Sequence, residues 1–344
     1  MCKQENKDNT DIKVRKEKFI VQWHITHKCN LRCNHCYQDE YNKDLRLTEM
    51  INIFNKIKEF IEANNYKCHI NFTGGEPFLS EKIWQILNLA EKEGYTFGIL
   101  TNGTVMNNYI LNRLSDYKGL SFIQISLDGT KETHNKIRGK EAYEKTLKTL
   151  KNLKKSNINT MVSFTCHKDN LKDLKKVIKV CKRNKVDVFW SDRLILTDNN
   201  NSEINKERLL TTKQFKEYTE ILAKERIKAE RNPFCSTDIR ANRALQFISS
   251  FTDCYECSAG KRLIAILADG TLLPCRRLPI ELGKINQETS IQSLLNKNCI
   301  DIQEIPNDCK ECELKLKCKG GAKCLTYATT GKVNNKDINC WLNR

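Results

Sequence analysis

From residue 19 to residue 230 the chain alternates six times between a short β-prone segment and an amphipathic helical one. Strands are expected at 19–26, 69–73, 96–101, 121–127, 159–165 and 186–194, and helices at 48–63, 82–93, 107–117, 141–157, 171–183 and 212–230. Strand–helix alternation of this kind leaves parallel strands with right-handed crossovers as the compact arrangement. Parallel strands covered on both faces usually read apolar throughout. These do not: Gln22, His24 and Thr26 alternate with Val21, Trp23 and Ile25, and Gln124, Ser126 and Asp128 with Ile123, Ile125 and Leu127. Asn71, Thr73, Ser163, Thr165 and His167 continue the pattern. A sheet with helices outside and polar side chains inside encloses a wet cavity, and the loops after the strands form its working end.

Composition narrows the class. The 344 residues suffice for one large domain and a smaller one. The 17 cysteines would suggest disulfides in a secreted chain, but the start has no apolar h-region, so a cytoplasmic protein with reduced thiols is expected. No apolar run reaches the roughly 18 residues of a membrane span. The net charge of +17 comes from lysines spread over every expected helix, without the arginine–aromatic clusters of single-strand binders. Nucleic acid is therefore not the expected partner; the positive field favours an acidic one. Residues 1–17 read as a polar tail, 18–232 as the α/β domain, and 233–344, beyond Asn232-Pro233, as a Cys-rich domain.

Directly after the first strand comes Cys29-Asn30-Leu31-Arg32-Cys33-Asn34-His35-Cys36-Tyr37. Three thiolates this close suit three irons of a 4Fe-4S cube and leave the fourth iron open to a substrate's amine and carboxylate. The run resembles the cluster motif of the radical S-adenosylmethionine (SAM) family. That resemblance implies an incomplete, TIM-like (β/α)6 barrel, a cluster on Cys29, Cys33 and Cys36, and His35 near the adenine. Thr73-Gly74-Gly75-Glu76-Pro77, after the second strand, resembles the loop that binds the methionyl amine, which implies that role for Gly74, Gly75 and Glu76. Ser126-Leu127-Asp128-Gly129 and Ile137-Arg138-Gly139 resemble a stretch in which Ser126 and Arg138 would assist SAM's carboxylate or ribose; a guanidinium fork suits a carboxylate. Thr101-Asn102-Gly103 is a weaker loop signal, and Trp190, Asp192 and Arg193 fall where the substrate side of the cavity is expected.

In the second half, Cys257, Gly270 and Cys275, then Cys309, Cys312 and Cys318, and finally Cys340 resemble the SPASM domain, which carries two auxiliary clusters. One departure is the five-residue gap from Cys318 to Cys324, where three is usual. The family pattern implies a first auxiliary 4Fe-4S cluster on Cys257, Cys275 and Cys324, with Cys254 as candidate fourth ligand. It implies a second on Cys309, Cys312, Cys318 and Cys340, making three clusters in all. Structural zinc is the alternative chemistry for such cysteines. Cys2, Cys68, Cys166, Cys181, Cys235 and Cys299 are expected to be ordinary small apolar residues.

The resemblance implies an oxidoreductase that cleaves SAM to a 5′-deoxyadenosyl radical and abstracts hydrogen from its substrate. SPASM enzymes act mainly on peptides, so the expected substrate is a ribosomally made peptide receiving a thioether or carbon–carbon crosslink. The alternatives are anaerobic sulfatase maturation, tetrapyrrole side-chain modification and, in another class, a non-catalytic iron–sulfur electron carrier. A reductant such as flavodoxin or ferredoxin is implied. With only a short tail before the first strand, leader recognition is expected from a separate leader-binding protein or from the basic surface. Arg276 and Arg277 stand where a sulfatase maturase has its aspartate, and are expected to anchor an acidic peptide.

Overall fold

The computed structural model describes residues 16–38, 44–196, 203–298, 301–302 and 304–342. Nearly all of the expected polar tail, with Cys2, and also Cys299, lies outside the described residues. The first half runs β1 (Lys18–His24), α1 (Leu47–Ala63), β2 (Lys67–Thr73), α2 (Ile83–Lys92), β3 (Thr96–Thr101), α3 (Asn108–Ser115) and β4 (Leu120–Ser126). It continues with α4 (Lys131–Arg138), α5 (Ala142–Lys155), β5 (Thr160–Cys166), α6 (Leu174–Arg183), β6 (Val188–Arg193), α7 (Glu203–Glu207) and α8 (Thr212–Glu230). Beyond it come β7 (Asp238–Arg240), α9 (Gln246–Ser250), β8 (Leu263–Ile266), β9 (Thr271–Leu273), β10 (Gly283–Lys284), α10 (Ile291–Lys297), α11 (Lys315–Cys318) and α12 (Lys323–Thr330).

All expected strands and helices are present, with ends displaced by a residue or a few. The helices form because their apolar positions recur at helical spacing. In α6, Leu174, Val177, Ile178 and Cys181 are buried at i, i+3, i+4 and i+7, while Lys175, Lys176 and Lys179 face water. Against these helices the strands bury Val21, Trp23, Ile70, Phe72, Phe97, Ile99, Val162, Phe164 and Phe189. A fully buried side chain of this size contributes roughly 1.5–3 kcal/mol, so this layer carries the fold. The other strand face keeps Gln22, Asn71, Ser126, Ser163 and Thr165 only half-buried, as their polarity requires.

Two features depart from expectation. The sheet does not stop at six strands: its order is β10-β9-β8-β1-β2-β3-β4-β5-β6-β7, so the Cys-rich half adds strands at both edges. β8 pairs in parallel with β1 and β7 in parallel with β6. The composition break near residue 233 is therefore not a break in the sheet; β8 is apolar on both faces and is buried at the open edge of β1. The second departure is α4, whose only buried residues are His134 and Ile137, too few for a periodic signal. Its C-terminal end packs on the cysteine loop, where Asn34 N donates to the Ile137 carbonyl at 3.1 Å.

The C-terminal segment is pinned to the barrel by a buried ion pair. Arg193, at the end of β6, donates from Nη1 and Nη2 to the two Asp337 oxygens at 2.8 and 2.9 Å, and from Nη1 to Asn339 Oδ1 at 2.9 Å. Its guanidinium also stacks 3.9 Å from the Phe215 ring centroid of α8. Among the described residues no helix is long and apolar enough to cross a membrane.

Candidate functional site

A cavity of about 190 Å³ opens at the C-terminal ends of the strands. Cys29, Cys33 and Cys36 border it with Gly74, Gly75, Ser126 and Arg138; Trp190, Asp192, Arg276 and Arg277 border it as well. The loops after β1 and β2 are stitched together, since Gly75 N donates to the Thr26 carbonyl at 2.9 Å and Glu76 N to the Lys28 carbonyl at 2.7 Å. Glycine is needed for this approach. Gly74 has φ of +140°, and a Cβ on Gly75 would stand 2.2 Å from the Lys28 oxygen. Because that obstacle is backbone one residue from Cys29, Gly75→Ala should push the two loops apart. The expected outcome is a loss of about 1–3 kcal/mol in denaturant unfolding, with SAM binding weakened alongside; unchanged binding by equilibrium dialysis would remove the loop from the site.

Glu76 has a different position from the one expected. It is fully buried and not among the cavity's bordering residues. Its Oε1 accepts from the Thr101 hydroxyl at 2.7 Å and from Phe78 N at 3.4 Å, and its Oε2 from Asn102 N at 2.9 Å. Burial pushes its pKa up to about 7, against the pull of these donors. The carboxylate thus ties the Thr101-Asn102 loop to the glycines.

Asp128 is the residue whose importance the sequence understated. Its Oδ2 accepts from both Nε and Nη2 of Arg138 at 2.6 Å, and its Oδ1 from Thr165 N at 2.7 Å. His35 Nε2 lies 3.6 Å from the same Oδ2. Burial alone would raise the Asp128 pKa, but Arg138, His35 and His134 together hold it at about 2. His35 is pulled down to about 3 by burial, so it stands as a neutral ring beside a carboxylate. Arg138 was expected on SAM's carboxylate or ribose; its Nε and Nη2 are engaged by Asp128, and its Nη1 lies 3.8 Å from Cys33 Sγ.

The Cys-rich half gathers its thiols into two groups, and none of the described cysteines is in a disulfide. Cys257, Cys275 and Cys324 pack around Ala259, Leu278 and Ile302. Cys309, Cys312, Cys318 and Cys340 border one cavity of about 270 Å³. Cys254 stands between the groups, bordering a third cavity of about 340 Å³ with Cys257, Cys318 and Cys324. The unusual gap before Cys324 is absorbed by a left-handed turn: Lys319, Gly320 and Gly321 have φ of +49°, +84° and +90°. Asp337 closes that turn by accepting from Ala322 N at 2.9 Å, and Cys324 then enters the first turn of α12 beside Cys257 and Cys275.

Arg276 and Arg277 were expected to act together, and the structure separates them. Arg277 donates to Asp192 Oδ2 at 2.5 Å and to the Arg193 carbonyl at 3.1 Å. Burial would raise the Asp192 pKa, but Arg277, Arg243 and Arg193 hold it at about 2. This ion pair borders both the strand-end cavity and the one beside Cys254, Cys257 and Cys324. Arg277 is therefore engaged within the protein and is not a free anchor.

The donor set fits iron–sulfur clusters. Soft thiols are grouped by three, Cys257, Cys275 and Cys324 in one packed cluster, and by four, Cys309, Cys312, Cys318 and Cys340 around one cavity. Zinc would need them at ~2.3 Å from a single centre; a cube takes one thiolate at each separate iron.

Comparison with known proteins agrees with this geometry. Residues 23–181 match the model of the radical SAM superfamily and residues 257–319 that of SPASM, an iron–sulfur cluster-binding domain. Streptococcus suis SuiB bound to S-adenosylmethionine shares the fold with a TM-score of 0.74 at 16% identity, covering 95% of this chain and 78% of that one. Native anSMEcpe with bound AdoMet gives a TM-score of 0.74 at 18% identity, covering 93% of each chain. The Fe-coproporphyrin III synthase of Methanosarcina barkeri (strain Fusaro / DSM 804) is 28% identical over 196 residues, 56% of this chain and 48% of that protein. The match thus spans about half the length of this curated relative. With both models matched in chain order, residues 23–181 form a domain of the radical SAM superfamily, a superfamily of enzymes, and residues 257–319 a SPASM iron–sulfur domain, which together imply 4Fe-4S clusters and SAM as cofactors.

Proposed function

We propose that the chain is a radical SAM peptide maturase, removing hydrogen from a ribosomally made peptide to form a thioether or carbon–carbon crosslink. The observation that carries this reading is a single cavity bordered by Cys29, Cys33 and Cys36 and by an Asp192–Arg277 pair that also borders the auxiliary cysteines. Cys29, Cys33 and Cys36 would hold the SAM-binding cluster, Cys257, Cys275 and Cys324 the first auxiliary one, and Cys309, Cys312, Cys318 and Cys340 the second. With SAM, the bound cluster supplies one-electron cleavage to methionine and a 5′-deoxyadenosyl radical. The chain's own residues bind and orient. Gly74 and Gly75 let backbone approach the ligand, Ser126 offers a hydroxyl, and Asp128 fixes the Arg138 guanidinium beside Cys33. Trp190 donates to Gln124 Oε1 at 2.9 Å and stacks under Arg243 at 4.5 Å, which gives the substrate side a rigid apolar wall.

A peptide substrate is supported by SuiB having been solved with its precursor peptide SuiA, with a TM-score of 0.71 to this chain. A second reading, tetrapyrrole side-chain chemistry, is favoured by the 28% identity to a coproporphyrin synthase and by Arg276 in the cavity, which suits a propionate. The test is anaerobic turnover of reconstituted protein with SAM, dithionite and a short precursor encoded nearby, followed by mass spectrometry. Loss of one hydrogen pair per crosslink is the expected result. Conversion of Fe-coproporphyrin III instead would establish the second reading, and formylglycine in a sulfatase-derived peptide would overturn both.

A further inference from the structure

Four arginines border the strand-end cavity: Arg138, Arg193, Arg276 and Arg277. Three have a carboxylate partner, since Arg138 is held by Asp128, Arg193 by Asp337 and Arg277 by Asp192. Arg276 makes no ion pair among the described residues. It is half-buried, and its backbone N–H donates to Gln22 Oε1 on β1 at 3.4 Å, which fixes where its side chain departs. Its guanidinium carbon lies 5.6 Å from the Tyr37 ring centroid, and the Tyr37 hydroxyl has Arg276 and Thr73 within polar reach. His24 also packs against Tyr37, the two rings T-shaped with centroids 5.7 Å apart. Burial, with Arg276 adding to it, pulls His24 down to about 3, so this neighbour is a neutral ring and adds no second positive charge beside Arg276.

We propose that Arg276 and the Tyr37 hydroxyl form a carboxylate-binding subsite that takes an acidic group of the substrate. A guanidinium shielded from water on one side and without an ion pair among the described residues gains most from a bidentate carboxylate. Tyr37 adds a neutral donor on the same wall, beside Cys36. Arg277, one residue on, cannot serve the same purpose because Asp192 takes its Nη1 and the Arg193 carbonyl its Nη2. The subsite rests on the proposed radical SAM function for its substrate, and it narrows that substrate to one carrying a carboxylate near the reacting position. The other source of this chemistry is SAM's own carboxylate.

The test is arginine modification of anaerobically reconstituted protein by phenylglyoxal, mapped by peptide mass spectrometry. Arg276 should react several-fold faster than Arg138, Arg193 and Arg277. Glutarate should slow it several-fold while glutaramide, its neutral counterpart, should not, and the protection should persist with saturating SAM. If SAM alone protects Arg276 and glutarate adds nothing, the carboxylate belongs to SAM and the substrate assignment is overturned. Failure of Arg276 to react, or equal protection by glutaramide, overturns the subsite outright. The labelling needs no turnover; absence of 5′-deoxyadenosine from dithionite-reduced wild-type protein would instead sink the proposed function, whatever Arg276 does.

Discussion

Anaerobic reconstitution should load about 12 iron and about 12 sulfide per chain, and replacing Cys29, Cys33 and Cys36 together by Ala should leave about 8 iron. The three cysteines share one cavity wall, while the eight candidate ligands in the second half fall into two separate groups with Cys254 between them. Losing one site therefore leaves the others their own thiols. The triple variant should also cleave no SAM, whereas reduced wild-type protein should form 5′-deoxyadenosine slowly without any substrate. Tightly bound zinc with iron near 4 would overturn the auxiliary assignment, because only one thiol group would then be holding a cluster.

The largest stability effect is expected at Arg193. Arg193→Met should cost about 3–5 kcal/mol in denaturant unfolding of the reconstituted protein, because it leaves Asp337 as a buried charge without a partner. Asp337 does more than pair: it accepts from Ala322 N and Asn339 N, and its carbonyl accepts from Cys340 N at 2.9 Å. The turn before Cys324 and the approach of Cys340 both depend on it. Iron content should therefore fall along with stability. Adding Asp337→Leu removes the stranded charge, so the double variant should recover part of the stability without recovering the iron; a strictly additive pair would show that the two residues do not act as a unit. Full iron retention in Arg193→Met would show that the clusters do not depend on this contact.

How far the sequence could be read followed from the range of each interaction. Strands and helices were legible because α6 repeats its apolar residues at i, i+3, i+4 and i+7, and β5 alternates buried with half-buried positions. The cavity followed from the same alternation. The cysteine loop and the glycine loop were legible as motifs because their residues are adjacent in the chain. Their close approach needs no side chain at Gly75, and glycine announces that need by itself.

Partner choice among charged groups was not legible, because it is made across long separations. Nothing in the local motif around Arg138 tells that Asp128, ten residues away, holds its guanidinium. Arg276 and Arg277 are neighbours in sequence and look equivalent, yet Asp192 reaches only the second across 85 positions. Asp337 meets Arg193 across 144 positions. Local pattern sets which face of a strand is polar and which loop can bend closely. The counter-ion of a buried charge is set by where the folded chain brings its carboxylates, since burying a charge is tolerable only beside an opposite one. Hence residue types and spacing were enough to locate the cofactor end of this enzyme, while only the tertiary structure decided that Arg138, Arg193 and Arg277 pair with acids and that Arg276 has no ion pair among the described residues.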